Sequence, residues 1–127
     1  MANRTSIHVA GFGHVNPIPA ACRVGNLVMS GGIAGIDPAT GKVAPTLEGQ
    51  CAFMFQHVKT IVEAAGGTTD DIVKLTVWMA DRSQRAALNV EWLKMFPDEH
   101  ARPARHTLPA SLDGGVLINC EFVAMLG

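Results

Sequence analysis

The segment ARPARHTLPA, residues 101–110, brings two arginines, a histidine and two prolines together. Arg105 follows Pro103 by two positions, so the backbone that leads to it is stiffened. A guanidinium held in this way offers a planar fork of N–H donors that suits a carboxylate or a phosphate. The alternative is that Arg105 is a surface arginine in a loop, which is what we expect of Arg102.

The histidines do not form a metal site, because no pair of them has HxxxH or HExxH spacing. His57 is predicted on the polar side of a helix, and His14 precedes a proline-rich turn. Because neighbouring residues of a strand point to opposite faces, we expect His106 to point away from Arg105. The run Gly11-Phe12-Gly13 lacks the rest of a dinucleotide-binding pattern, and the chain has neither a GxSxG elbow nor a Walker loop.

The elements that must position these residues begin with short strands. Residues 22–43 combine apolar runs with a Gly25-Asn26 turn signal and further glycines, which predicts antiparallel strands joined by tight turns. From Thr46 the period changes to that of a helix, with its stop at Gly66-Gly67 and Thr46 as its candidate N-cap. Apolar residues recur there at steps of three and four, namely Cys51, Met54, Phe55, Val58, Ile61, Val62 and Ala65.

The second half of the chain predicts a strand, a helix and two more strands. Residues 72–80 read as a strand whose core-facing side chains are Val73, Leu75, Val77 and Met79. A second helix is predicted after Ser83, its candidate cap, with an apolar stripe of Leu88, Trp92 and Met95. Strands are predicted around 105–110 and 116–125, separated by the turn Asp113-Gly114-Gly115. This order predicts an α+β fold in which both helices pack on one face of a mixed sheet.

Length, charge and cysteine usage exclude several classes of protein. The 127 residues suit a single domain, residues 1–127. A formal net charge of -1, with ten scattered Lys and Arg, gives no general attraction to nucleic acid. Cys22, Cys51 and Cys120 show no CxxC spacing, so we expect reduced thiols in the cytoplasm. No apolar stretch approaches a membrane span and no leader is evident, so a soluble, unexported protein is expected.

A sheet with helices on one face leaves its other face open. The last strand, VLINCEFV, is apolar on both sides and would expose a large patch in a monomer. We therefore expect a homo-oligomer whose subunits meet on their open sheet faces. From the residues alone, the inference ends at a small cytoplasmic oligomer with a candidate anion-binding arginine.

Three stretches resemble one known family: RVGNLVMSGGIAGIDPATGKV, HVKTIVEAAGGTTDDIVKLTVWMAD, and RPARHTL with the strand after it. They cover nearly the whole chain in the right order, and RPAR before a strand is the most specific of them. On these motifs the chain is identified as a member of the reactive intermediate deaminase family, also called RidA or YjgF. The resemblance implies a chorismate-mutase-like fold with a mixed six-stranded sheet, and a homotrimer with three clefts between neighbouring subunits.

The resemblance also implies an activity. Members similar to the founding group hydrolyse reactive enamines and imines to 2-keto acids and ammonia without a cofactor. The family arginine that binds the substrate carboxylate corresponds to Arg105. The family acid that helps to position the attacking water corresponds to Asn119, which cannot act as a base. Glu121, two residues on, matches a separate family acid.

Further positions match the substrate-binding part of the family's site. Ile18 stands where the family has a tyrosine, in NPIPAA, so we expect a more apolar pocket. Ser30 opens the SG turn and Asn89 lies on the second helix, although they could equally be a turn residue and a solvated or capping residue. Thr107 replaces a residue that is cysteine in some members, and we expect it to line the cleft beside Arg105.

Three function classes remain open. The first is an imine or enamine deaminase for a small carboxylate-bearing substrate. The second is a non-catalytic module that senses or buffers a keto acid in the same clefts, which the loss of an acid at Asn119 favours. The third is the RNA cleavage or translation inhibition attributed to some relatives, against which stands the absence of a basic patch. The first two both predict carboxylate binding by Arg105, and only the first predicts turnover.

Overall fold

The computed structural model of the chain describes residues 1–10 and 16–127. The predictions for Gly11-Phe12-Gly13 and for His14 lie outside these ranges. The strands and helices in chain order are β1 (Thr5–Ile7), β2 (Ala21–Val24), β3 (Leu27–Ser30), β4 (Ile33–Ala34), β5 (Ile36–Asp37), β6 (Lys42–Val43), α1 (Leu47–Ala64), β7 (Ile72–Met79), α2 (Arg85–Met95), β8 (Ala104–Pro109) and β9 (Ile118–Met125). None of the described helices is long and apolar enough to cross a membrane.

The strands form one mixed sheet and a small separate hairpin. In the sheet the order is β1, β2, β3, β9, β7, β8, with β4 also paired to β9. β8 runs parallel to β7, and the other described pairs are antiparallel. The sheet has seven strands rather than the predicted six, because the chain breaks at Gly31-Gly32 and β3 and β4 pair with successive parts of β9. β5 and β6 form the hairpin.

Helix α1 has the boundaries that the sequence predicts. The Thr46 hydroxyl oxygen accepts a hydrogen bond from the Gly49 backbone N–H at 3.1 Å, which satisfies one of the free donors of the first turn. The helix ends at Ala64, and Gly66 follows with a φ of 97°, a conformation that glycine adopts without steric cost. The predicted apolar stripe of α1 is buried.

Most of the residues predicted to point inward from strand β7 are buried. The predicted inward residues that are fully buried are Leu75, Val77 and Met79. Val73, however, is 51% exposed, because a register shift against β9 between Ile72 and Lys74 buries Ile72 in its place. The prediction for Val73 is therefore wrong. A shift of this kind depends on the partner strand, so alternation within one segment does not reveal it.

Two local predictions beside the helices are also wrong. Ser83 does not cap α2, whose N-cap residue Gln84 makes no side-chain cap hydrogen bond. Asp81 instead caps the 3-10 turn before α2: its carboxylate accepts hydrogen bonds from the Ser83 N–H at 2.9 Å and hydroxyl at 2.6 Å. The 3-10 turn Arg82–Gln84 that follows leads directly into α2. His57 is buried rather than on a polar face, and its Nε2 donates to the carbonyl oxygen of Ile36 at 2.6 Å. Strand β5 packs on this flank of α1, which the helical period alone does not show.

One hydrophobic core lies between the helices and one face of the sheet. Its largest fully buried apolar members are Phe122, Ile33, Met54, Ile61, Leu75, Met79, Leu88 and Ile118. In the predicted α2 stripe, Leu88 and Trp92 are buried and Met95 packs against the core. Both helices therefore lie on the same face, which confirms the predicted α+β class. Cys51 and Cys120 are buried free thiols.

Gln50 is a buried polar residue near the start of α1. Its Nε2 donates to the carbonyl oxygens of Ala44 at 2.9 Å and Gly115 at 3.0 Å, and its Oε1 accepts from the Leu117 N–H at 2.8 Å. These hydrogen bonds tie the segment before β9 to α1. Because β9 lies between β3 and β7, Gln50 helps to fix the strand around which the sheet is built.

The face of the sheet away from the helices carries apolar side chains. The registers of β2, β3 and β9 place a group of them side by side, here called the open-face patch: Cys22, Val24, Leu27, Met29, Val123 and Met125. Most of the large members are exposed. An exposed apolar patch of this kind is typical of a surface that associates with another chain.

Gly35 tests the packing between the end of β4 and α1. A Cβ at this position would overlap the Cα and carbonyl oxygen of Gln50, which are helix backbone atoms. We expect Gly35→Ala to lower the free energy of unfolding by about 2 kcal/mol or more. Gly32→Ala is the control, because its Cβ meets no atom within 4 Å, and we expect a change within about 0.5 kcal/mol. Urea unfolding at one chain concentration measures both, and an equal loss in the two variants would contradict this packing.

Candidate active site

Arg105 lies on β8, the edge strand of the sheet. In the parallel register it stands opposite Leu75 of β7, whose side chain is fully buried in the core. Because paired residues of neighbouring strands point to the same face, the Arg105 side chain lies on the helix side of the sheet. There its guanidinium carbon is 4.9 Å from the centroid of the Trp92 ring on α2, a cation–π contact. Arg105 is therefore not a freely solvated loop arginine.

The Arg105 guanidinium is a cation without a counter-charge in the described chain. Its Nη1 atom is buried and has no hydrogen-bond partner among residues 1–10 and 16–127. The ion pairs found within those residues lie elsewhere, and none involves Arg105. Burial, followed by the nearby charge of Arg85, lowers the pKa of Arg105. An anion bound from outside would satisfy the free N–H and offset the cost of burying the charge.

Asn89 and Thr107 lie beside Arg105. Asn89 precedes Trp92 by three residues on α2, so the two side chains are neighbours on the helix surface. Thr107 lies two residues beyond Arg105 on β8 and points to the same face, whereas His106 between them points away from Arg105, as predicted, and is exposed. Asn89 and Thr107 are both half-buried. Arg105, Trp92, Asn89 and Thr107 are here called the edge group.

Asn119 lies on the other face of the sheet. It stands opposite Trp78 of β7 and Ala34 of β4, and its neighbours along β9 point into the core. Its Oδ1 is buried and has no hydrogen-bond partner in the described part of the chain. Glu121, two residues on, shares this face and is exposed. An unpaired amide oxygen in this position can accept a hydrogen bond from a ligand or a water molecule.

Ser30 and Ile18 lie near the break between β3 and β4. The Ser30 hydroxyl donates to the Gly31 carbonyl oxygen at 2.8 Å and accepts from the Phe122 N–H at 2.9 Å, which bridges the interrupted strand to β9. The single proton of the Ser30 hydroxyl is therefore already engaged in a hydrogen bond within the turn. Ile18 is 51% exposed and, with Ser30, lines a shallow apolar pocket of about 370 Å³ that borders the open-face patch. Ser30 itself alternates with Met29 along β3 and so shares the helix-side face. Asn119, with Ser30 and Ile18 of this pocket beside the patch, is here called the open-face group.

Arg105 and Asn119 point to opposite sides of the sheet. The row of paired residues through Asn119 continues to Trp78 and then to Leu108 of β8. Leu108 is three positions from Arg105, so Arg105 points the other way. Asn119 also lies two strands further in, roughly 10 Å across the sheet. One small molecule therefore does not contact both Arg105 and Asn119 within a single chain.

Two residues of the edge region have no predicted role in the site. From the sequence, Trp92 is predicted only as a core residue, yet its ring also faces the Arg105 guanidinium. Arg85 is the first residue of α2, and its spacing from Asn89 and Trp92 is the sequence signal that groups the three on one flank. Arg102 is exposed as expected, but its Nε donates to the Phe96 carbonyl oxygen at 2.8 Å and so helps to order the loop before β8.

The buried thiols and the acidic side chains provide no competing site. Burial raises the pKa of Cys51 to about 11 and also raises the pKa of Cys120, so both thiols stay protonated at neutral pH and are poor nucleophiles. Within the described ranges, no three His, Cys, Asp or Glu side chains are grouped so as to hold a metal ion. The edge and open-face groups therefore remain the candidates for chemistry.

Comparison with known proteins places the chain in a family. The family model described as Endoribonuclease L-PSP matches residues 13–126. The chain belongs to this family, which is the YjgF/RidA family. A RutC family protein of Haemophilus influenzae is 37% identical over 87% of this chain and 88% of that protein. A Salmonella typhimurium protein named 2-iminobutanoate/2-iminopropanoate deaminase is 34% identical over 87% of this chain and 88% of that protein.

Solved structures of the family share the fold. RidA from an Antarctic Psychrobacter species is 29% identical, with a TM-score of 0.87 over 96% of this chain and 100% of that chain. The YjgF gene product of Escherichia coli is 30% identical, with a TM-score of 0.86 over 95% of this chain and 98% of that chain. These likenesses confirm the α+β fold with a mixed sheet and two helices.

Arg105→Met tests whether this arginine stabilises the fold. Since the guanidinium has an unpaired N–H and no carboxylate partner in the described chain, we expect the free energy of unfolding to rise or to stay within about 0.5 kcal/mol. Arg23→Met is the matched control, because Arg23 donates to the carbonyl oxygens of Ala65 at 2.7 Å and Gly25 at 2.8 Å. It should lose about 1–2 kcal/mol. A larger loss in urea unfolding for Arg105→Met than for Arg23→Met would refute this view.

Proposed function

We propose that this chain hydrolyses reactive enamines and imines to 2-keto acids and ammonia, with Arg105 binding the substrate carboxylate. The observation that carries the proposal is the half-buried guanidinium over Trp92, with a free N–H and no counter-charge among the described residues. Its planar donors match the two oxygens of a carboxylate. The relatives in Salmonella typhimurium and Escherichia coli named 2-iminobutanoate/2-iminopropanoate deaminase support this reaction.

In this proposal a second subunit completes the site. Arg105 and Asn119 lie on opposite sides of one sheet, so a small substrate contacts both only when they come from two chains. The open-face patch offers an apolar surface for that association. The assembly is a chorismate-mutase-like homotrimer in which Arg105 faces Asn119 of the partner subunit, Ser30 of the partner subunit and Ile18 of the partner subunit. Each chain acts as one domain, residues 1–127, in the cytoplasm, where its free cysteines stay reduced.

Hydrolysis in this cleft requires no cofactor. Arg105 holds the carboxylate next to the C=N bond and so orients the carbon that water attacks. Water adds to this carbon while the π electrons of the C=N bond move to nitrogen, which gives an amino alcohol. The hydroxyl proton of the amino alcohol then passes to its nitrogen, the C–N bond breaks to release ammonia, and the oxygen becomes the keto oxygen. Asn119 can accept a hydrogen bond from the water but cannot remove its proton, so the proton passes to the substrate nitrogen. Ile18 lowers the local polarity, which strengthens the contact between Arg105 and the carboxylate.

Arg105→Ala should remove turnover. We expect kcat/KM for 2-iminobutanoate to fall at least about 100-fold, because the charged hydrogen bonds to the carboxylate are lost. The imine is generated in place by a threonine dehydratase, with semicarbazide competing for it, and released 2-oxobutanoate is measured. Arg82→Ala, which removes an exposed arginine from the turn before α2, should keep wild-type activity. Wild-type turnover in Arg105→Ala would refute the role of this arginine.

Asn119→Glu restores a carboxylate at the position of the family acid. We expect turnover of 2-iminobutanoate to rise at least about tenfold, because a carboxylate can take a proton from the attacking water. Asn119→Gln is the control, since it has the same length without the charge and should give no gain. If Asn119→Glu assembles like wild type and its turnover is unchanged or lower, the missing acid does not limit the reaction.

A second candidate function is non-catalytic binding of a small carboxylate such as a keto acid in the same cleft. The amide of Asn119 in place of an acid favours it, because an amide can hold a ligand but cannot act as a base. Both functions predict binding of 2-oxobutanoate that depends on Arg105, and turnover separates them. Nucleic acid is not a proposed partner, since the net charge is -1 and the basic residues are scattered.

A further inference from the structure

Arg85 lies on the flank of α2 that borders the edge group. It precedes Asn89 by four residues and Trp92 by seven. At 3.6 residues per turn, the three positions fall within about 60° of one another around the helix axis and span about 10 Å along it. Arg85 and the Arg105 guanidinium over Trp92 therefore face the same space between α2 and β8, here called the edge groove.

The opposite flank of α2 is occupied by α1, which decides the direction of Arg85. Glu91 and Met95 line, with Phe55 of α1, the cleft between the two helices. Glu91 is about 120° from Arg85 around the helix axis, and Asn89 lies on the other side of Arg85. The Arg85 side chain thus leaves the helix on the β8 flank. The charge effect agrees with this geometry, since Arg85 follows burial as a cause of the lowered pKa of Arg105.

Neither arginine of the edge groove forms an ion pair within the part of the chain that the structure describes. The ion pairs found among residues 1–10 and 16–127 include neither Arg85 nor Arg105. Arg85 is exposed and Arg105 is half-buried with an unpaired Nη1. Two like charges held on one groove repel each other, and a ligand with two negative charges relieves that repulsion more fully than a ligand with one.

We propose that the edge groove selects a substrate with two anionic groups, namely a dicarboxylic imine and the 2-keto diacid that it becomes. Arg105 binds the carboxylate next to the reacting C=N bond, and Arg85 binds the second carboxylate at the other end of a short carbon chain. Asn89, between them on α2, can donate its amide N–H to either carboxylate. The assignment of Arg105 rests on the proposed function, and Arg85 is added as the residue that determines specificity.

Two stable keto acids of equal carbon number test this assignment. Calorimetry at low ionic strength compares 2-oxoglutarate with 2-oxopentanoate in the assembled wild type, Arg85→Gln, Arg82→Gln and Arg105→Gln. We expect wild type to bind the diacid at least about fivefold more tightly, and Arg85→Gln to lose that preference. Arg82→Gln removes an equal charge from the exposed turn just before α2 and should keep the preference. Arg105→Gln should weaken both acids by about tenfold or more.

Each other outcome overturns a specific claim. Equal affinities in wild type, or a preference that persists in Arg85→Gln, would overturn the specificity assignment while the proposed function stands. Loss of the preference in Arg82→Gln as well as in Arg85→Gln would also overturn it, because general charge rather than a site would then account for the preference. Wild-type affinity for both acids in Arg105→Gln would overturn the proposed function itself.

Discussion

The parallel pairing of β8 with β7 is the constraint on which the candidate site depends. Its register sets Arg105 opposite Leu75 and thereby aims the guanidinium at Trp92 on the helix side of the edge strand. A slip of one residue would send Arg105 to the open face and place His106 beside α2, because side chains alternate along a strand. Parallel strands need a crossover connection, and here that connection contains α2. The helix that makes the pairing possible therefore also supplies one wall of the groove.

Within that framework, the two candidate groups share one physical property. Among the described residues, the buried side-chain polar atoms without a hydrogen-bond partner belong to Arg105 and Asn119. A half-buried cation without a counter-charge costs free energy, and a cation–π contact returns only about 1 kcal/mol of it. Polar groups left unpaired in this way are more consistent with ligand binding than with stability. One of these unpaired atoms lies in the edge group and the other in the open-face group. This favours a site in which the two groups meet.

The sequence predicted those features whose cause is local. Helix α1 follows from its apolar period and from the Thr46 cap, and the identity of Arg105 follows from the RPAR motif. The exposure of Val73 and the burial of His57 depend on a neighbouring strand, so periodicity within one segment predicted them wrongly. The same reason applies to the site. Motifs could name Arg105 and Asn119, but only the strand order β9, β7, β8 and its registers place them on opposite faces.

Mixing two inactive variants tests most directly whether each site is built from two chains. Arg105→Ala removes the arginine and Asn119→Leu removes the amide, so neither variant alone forms a complete cleft. In the proposed homotrimer, refolding from an equal mixture gives about one cleft in four that combines the intact halves of two chains. The account predicts that the mixture recovers about a quarter of the wild-type release of 2-oxobutanoate from 2-iminobutanoate. Activity no higher than the average of the two variants would contradict it.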